Sequence, residues 1–158
     1  MADVTREQLM MAALNSGHGL VARGFDLSGL DLSNAGWLRH ANLDGCNLQG
    51  ANLEGADLRF AEVDSANLIG AKMRRVRLFG ASICWSNLSR VDLTGVDARK
   101  IKIKDTVFRD AVLVDADFRF NYTHDYDFRD SAMSCSFDGA NVTGLRICWS
   151  HTLSVIGA

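Results

Sequence analysis

From Leu38 to Met133 every fifth residue is a large apolar one at 18 of 20 stops, the exceptions being Ala98 and Thr123. Two residues before most stops the side chain is small, as at Ala41, Ala51, Ala56, Ala61, Ala66, Ala71, Ala81, Ala111 and Ala116, and it swells at Val91, Val96, Ile101 and Tyr126. A period of five suits neither regular element. On an α-helix, five residues overshoot a full turn by ~140° and smear the leucines around the cylinder. On an uninterrupted strand an odd spacing sends successive leucines to opposite faces. The pattern demands a short extended piece, in which the small and the large residue share one side, followed by a corner that restores the phase. Gly45, Gly50, Gly55, Gly70, Gly80 and Gly95 all fall two residues after a large one, where such a corner needs a permissive backbone. The chain therefore coils around its own apolar axis, and its units stack as a solenoid.

Repeats such as Ala56-Asp57-Leu58-Arg59-Phe60, Ala66-Asn67-Leu68-Ile69-Gly70 and Ala116-Asp117-Phe118-Arg119-Phe120 resemble the pentapeptide repeat family, whose consensus is Ala-Asp/Asn-Leu-X-X. The resemblance covers roughly residues 25 to 152. It implies an all-β solenoid, a right-handed quadrilateral parallel β-helix with four pentapeptides per coil; the number of faces comes from the resemblance and not from the period. The expected organisation is an N-terminal capping helix and lead-in over 1–22, the pentapeptide repeat β-helix over 23–152 and a C-terminal tail over 153–158. The helix is read from Thr5 and Gln8, spaced as a capping box, and from Leu9, Met10, Ala12, Ala13 and Leu14, with Gly17 and Gly19 to end it. Solenoid ends need such covering.

Two slips interrupt the count. Leu38 comes one residue late after Leu32, so a bulge is expected near Ala35. Phe137 follows Met133 after only four residues, which suggests a tightened corner at Ser134 and Cys135. Phe108, Phe118, Phe128 and Phe137 take over the large position in the later coils as ordinary core packing. Asn121 and Thr123 break the apolar rule and point to a distorted coil. Cys46 and Cys135 fall on inward positions and Cys84 and Cys148 on outward ones, with no metal-ligand or disulfide spacing.

The composition suits one compact domain: 47% hydrophobic, no proline, and a formal charge of −2, which exerts no global pull toward nucleic acid or acidic membranes. No apolar run is long enough to span a membrane, and no secretory signal opens the chain, so a cytoplasmic location is expected. Catalysis, cofactor and metal are not expected. The histidines His18, His40, His124 and His151 lie on different phases, and no phosphate loop or nucleophile motif occurs. The cluster His124-Asp125-Tyr126-Asp127 reads as an alternating corner.

Function must then lie on outward positions. With four repeats per coil, one column runs Arg39, Arg59, Phe79, Arg99 and Arg119, and its neighbour carries His40, Phe60, Gly80, Lys100 and Phe120. These arginines and aromatics are candidate partner-binding residues. Asp57, Asp97 and Asp117 share the face and could neutralise them. Basic and acidic neighbours at Lys104-Asp105, Arg109-Asp110, His124-Asp125 and Arg129-Asp130 read as a solvated ion-pair ladder. Val107, Val112 and Val114 add an outward apolar patch, and Leu145, Trp149, Leu153, Val155 and Ile156 form a candidate homodimer contact at the C-terminal end.

Three function classes follow. The resemblance implies first a non-enzymatic protein-interaction scaffold of bacterial type with an unidentified protein partner. The second is the DNA-mimicking branch of the family that binds DNA gyrase, from which this chain departs in its weak net charge, its basic middle coils and its lack of a long interrupting loop. The third is direct binding of an anionic polymer or nucleic acid through the arginine column.

Overall fold

The structure, a computed structural model, describes residues 4–119 and 135–146. The readings at Asn121, Thr123, the His124 cluster, Phe128, Met133, Ser134, Cys148 and the apolar residues beyond Arg146 lie outside the described residues.

The five-residue unit is best understood by following its backbone N–H groups. In the repeat 51–55, Ala51 N donates to Leu48 O across the preceding corner (3.0 Å) and Asn52 N to Leu30 O on the previous coil (2.8 Å). Leu53 N and Gly55 N donate to Lys72 O (2.8 Å) and Arg74 O (2.9 Å) on the next coil. The remaining donor, Glu54 N, is taken by Asn52 Oδ1 at 3.2 Å. All five donors are satisfied, two of them by the corner itself. The Asn or Asp at the second position is thus an Asx turn that closes the corner from within, and it recurs at Asp57, Asn67, Asn87, Asp92 and Asp117. Any proline inside a unit would remove one of these bonds.

The corner also needs a left-handed residue. Its four residues run from the large one to the next small one, and the third, the fifth of each unit, has positive φ throughout the described coils. This is the type II pattern, for which glycine is the unstrained choice. Yet His40, Phe60, Ser65, Arg75, Trp85, Arg90, Lys100, Asp105, Asp110 and Asp115 occupy it with φ between 50° and 61°.

Coils meet through isolated parallel bridges, and no continuous strand occurs among the described residues. Asn42 pairs with Glu62, Glu62 with Ser82 and Ser82 with Lys102, so one coil takes twenty residues, or four repeats. The first coil is one residue longer: Val21, Asp26 and Asp31 pair with Asn42, Asn47 and Asn52. The extra residue sits where the bulge was expected, in a single 3-10 turn at Gly36–Leu38 after the buried Ala35.

The last slip has a different size from the expected one. Val107, Val112 and Asp117 pair with Ser136, Asn141 and Arg146, each twenty-nine residues on. A one-residue tightening near Ser134 would have placed Phe137 over Phe118. Instead Phe137 lies face to face with Phe108, at 5.0 Å between ring centroids and 3° between planes, and Phe108 meets Phe118 edge-on at 6.3 Å. The chain between Arg119 and Cys135 therefore exceeds the length needed to keep the twenty-residue register by nine residues, and the expectation of an uninterrupted repeat is corrected.

Inside, the small and large positions form one continuous core from Leu20 to Phe118, with Ser86 and Thr106 as buried hydroxyls at the small position. Ser86 Oγ donates to Val63 O (2.8 Å) and accepts from Ala66 N (3.0 Å), so it bridges a corner bond that other units make directly. Cys46 is buried as expected and Cys135 partly so, but Cys84, expected outward, is also buried. Its short side chain sits in a column between Asp64 and Lys104, 3.7 Å from Ser82 Oγ, and burial pushes its thiol pKa up.

Helix α1, Arg6–Ser16, begins at Thr5 with a complete capping box and ends at Gly17 in the left-handed conformation. Leu9 is its buried residue, and Arg6 donates to Asp31 O (2.7 Å) and Ser33 O (2.9 Å) on the first coil. Met11 and Leu14 remain exposed.

Candidate partner-binding edge

The arginine column is built by the same local rule that makes the corners. Because Asp at position two turns its carboxylate back toward the N–H of position four, an arginine at position four starts out beside that carboxylate. Arg59 Nε donates to Asp57 Oδ1 at 2.8 Å, with Nη2 on Oδ2; Arg99 makes the same fork with Asp97 (2.8 and 2.9 Å), and Arg119 with Asp117 (2.8 and 2.7 Å). These paired charges are largely neutralised, as the shared face suggested.

Asp117 is the most tightly held. The forked bond from Arg119 is the main cause that lowers its carboxyl to about 2, helped by the backbone N–H of Arg119 and by Arg146 at 3.7 Å. Arg59 and Arg99 lower Asp57 and Asp97 in the same sense. A carboxyl whose folded pKa lies below its unfolded value stabilises the fold above about pH 4, and that contribution disappears as pH falls toward 2. Asp117→Asn keeps the Asx acceptor and removes the charge. Discounted for the half-exposed Arg119, the change should lower unfolding free energy by about 1–2 kcal/mol at pH 7 and by little at pH 2. Urea unfolding at both pH values checks this, since an equal loss at both would mean that the charge is not responsible.

Arg39 differs from its column mates. Trp37, not an aspartate, stands two residues before it, and its guanidinium carbon lies over the Phe60 ring, 5.6 Å from the centroid. Phe60 stacks on His40 (5.1 Å, 11°) and meets Phe79 edge-on (5.6 Å). Phe79 lies beneath Arg99 (5.7 Å) and Lys100 (5.4 Å). The two neighbouring columns thus merge into one edge, His40–Phe60–Phe79–Lys100, along the rod. Gly80 is part of it: a Cβ there would stand 2.8 Å from Phe60 Cδ1, so the glycine makes room for the ring. The periodicity gave the columns, but the mutual contacts depend on side chains leaning along the stack.

Elsewhere the expected features scatter. Arg109 pairs with Asp138 on the next coil at 3.8 Å, not with neighbouring Asp110. Val107, Val112 and Val114 are outward and half-buried. Leu145 packs partly buried against the core, whereas Trp149, Leu153, Val155 and Ile156 lie outside the described residues. No group of metal-ligating side chains occurs among the described residues, and none of their helices is long and apolar enough to cross a membrane.

Comparison with known proteins agrees with this architecture. The family description "Pentapeptide repeats" matches in eight copies over residues 38–75 and 86–119. No curated protein matches the sequence. Among solved structures, a pentapeptide repeat protein from the Arabidopsis thaliana thylakoid lumen is 28% identical, with a TM-score of 0.52 over 75% of this chain and 77% of that one. A pentapeptide repeat protein from the cyanobacterium Nostoc is 22% identical (TM-score 0.35, 90% of this chain and 95% of that one). QnrB1, a plasmid-mediated fluoroquinolone resistance protein, is 17% identical (TM-score 0.42, 80% and 67%). With its five-residue period, twenty-residue coils and eight matched repeats, the chain belongs to the pentapeptide repeat family.

Proposed function

We propose that this protein is a non-enzymatic protein-interaction scaffold: a right-handed quadrilateral β-helix, its first coil covered by α1, that presents the His40–Lys100 edge to a macromolecular partner. The observation that carries this reading is the run of mutually contacting aromatic and basic side chains, His40, Phe60, Phe79 and Lys100, that lines this edge. Folding alone favours glycine at each corner, and Gly45, Gly50, Gly55, Gly70 and Gly95 supply it at some others. Ser65, Arg75, Trp85, Arg90, Asp105, Asp110 and Asp115 share the strained geometry, so the edge is set apart by its side-chain contacts and not by backbone angle alone. At His40, Phe60 and Lys100 bulky side chains hold φ near 60°, at a cost of about 1 kcal/mol or more each. Phe60 is 40% exposed despite its ring contacts, so burial does not recover that cost. Side chains that the fold would replace by glycine are best explained by what they touch outside it.

Affinity capture from the native host tests the reading, with wild-type rod compared against a Phe60→Gly, Lys100→Gly variant whose replacements suit a left-handed corner. A protein enriched by the wild type and lost with the variant is the expected result. Recovery of nothing beyond what bare resin retains would sink the scaffold.

A further inference from the structure

The same edge carries information about the chemistry of its partner, an inference that rests on the scaffold reading. We propose that the His40–Lys100 edge docks an extended, acidic segment of a partner protein.

The charge balance comes first. Along the column Arg59 and Arg99 are committed to Asp57 and Asp97. Arg39, Lys100 and Lys102 are exposed, and no ion pair to any of them occurs among the described residues. Glu62 stands two coils before Lys102 in the same column, and it accepts from Asn42 Nδ2 at 2.6 Å. Three cations against that one carboxylate leave the edge a net positive excess on a chain whose formal charge is −2. That segregation gives the strip a sign the whole molecule lacks.

The aromatic rings decide between two anionic partners. Single-stranded nucleic acid needs an aromatic face on which a base can stack. Phe60 lies between the His40 ring and the space over Gly80, and Phe79 sits beneath two cations. The rings are spent on each other and on orienting cations, as cation–π geometry does. What remains outward is Arg39 at one end and Lys100 with Lys102 three coils on, about 14 Å apart at ~4.8 Å per coil, the distance that about four residues of an extended peptide span. Side chains on one side of an extended peptide repeat every ~6.8 Å, close enough for flexible lysines to meet alternate carboxylates.

Fluorescence anisotropy with the purified full chain tests this, using a labelled peptide of alternating Glu and Ser as one probe and labelled oligo(dT) of equal charge as the other. Peptide binding that weakens with salt, and that falls at least about tenfold in an Arg39→Glu, Lys100→Glu variant with unchanged circular dichroism and melting midpoint, is expected. A second variant, Phe60→Gly, should also weaken the peptide, because Arg39 loses the ring that positions it. Equal peptide affinity in the wild type and the charge-reversed variant would overturn the proposal. So would oligo(dT) binding that is tighter than peptide binding and lost with the same substitutions, which would make the edge a nucleic-acid site. Absence of any peptide binding also overturns it, while leaving the scaffold itself to be decided by capture from the host.

Discussion

Replacing Phe108 by alanine should lower the unfolding free energy by about 3–5 kcal/mol, among the largest losses any single truncation in this rod can produce. Phe108 is 1% exposed and stands at the junction of two aromatic contacts, stacked on Phe137 and edge-on to Phe118. Its removal leaves a cavity between coils that cannot close, because the backbone spacing is fixed by the ladder on both sides. The partner of Phe108 also tests the register. If residue 107 pairs with residue 136, a double-mutant cycle between Phe108→Leu and Phe137→Leu should show a coupling of about 0.5–1.5 kcal/mol. A cycle between Phe118 and Phe137 should show less. The opposite order would restore the shorter register, in which Phe137 belongs over Phe118.

The second large effect is expected from proline at the second position of a unit. Asn52→Pro deletes the N–H that reaches Leu30 O and the side-chain oxygen that receives Glu54 N. Two backbone groups lose their partners, and the loss should be about 2–5 kcal/mol, measured by denaturant unfolding. Asn52→Asp keeps the Oδ1 acceptor, loses the Nδ2 bond to Asp31 Oδ1 (3.0 Å) and sets two exposed carboxylates together. It should cost about 1 kcal/mol, well below the proline. If the two substitutions prove equally damaging, the Asx turn is not what holds the corner. The proline effect fits the composition: in a unit such as 51–55, whose five N–H groups are all committed, proline removes a bond at any position, and the chain contains none.

What could be read from the sequence follows from which forces leave a periodic trace. Burial does, so Ala41 and Leu43, or Ala51 and Leu53, declare themselves as inward by spacing alone. The capping box of α1 is equally local, because Thr5 and Gln8 suffice to define it. The neutralising role of Asp57, Asp97 and Asp117 was visible because residues two apart on one extended face must be neighbours. The register change after Arg119 was not legible, because the count of five runs on in the sequence through Phe128 and Met133 and a period alone does not name a pairing partner. Only the ladder contacts of Ser136, Asn141 and Arg146 reveal the nine-residue excess. Cys84 was misplaced for a related reason: position four is outward by phase, yet a side chain as short as a thiol is covered by longer neighbours one coil away. The candidate edge was half legible. Its columns follow from a spacing of twenty, but the ring and cation contacts that join His40, Phe60, Phe79 and Lys100 depend on how side chains lean along the stack and leave no trace in the period.

The twenty-residue coil has a consequence for how such genes can change length. Loss of a single codon between Asn42 and Asp117 would turn inward side chains outward in every later unit up to the next corner able to absorb it. Loss of five codons would do something subtler: each leucine and alanine would still face the axis, but everything downstream would rotate by a quarter turn. The core would not register the change, while Phe60 and Lys100 would end on different sides of the rod. Only steps of twenty preserve both, so selection on the surface, and not on folding, would be what keeps the repeats of this chain in whole coils.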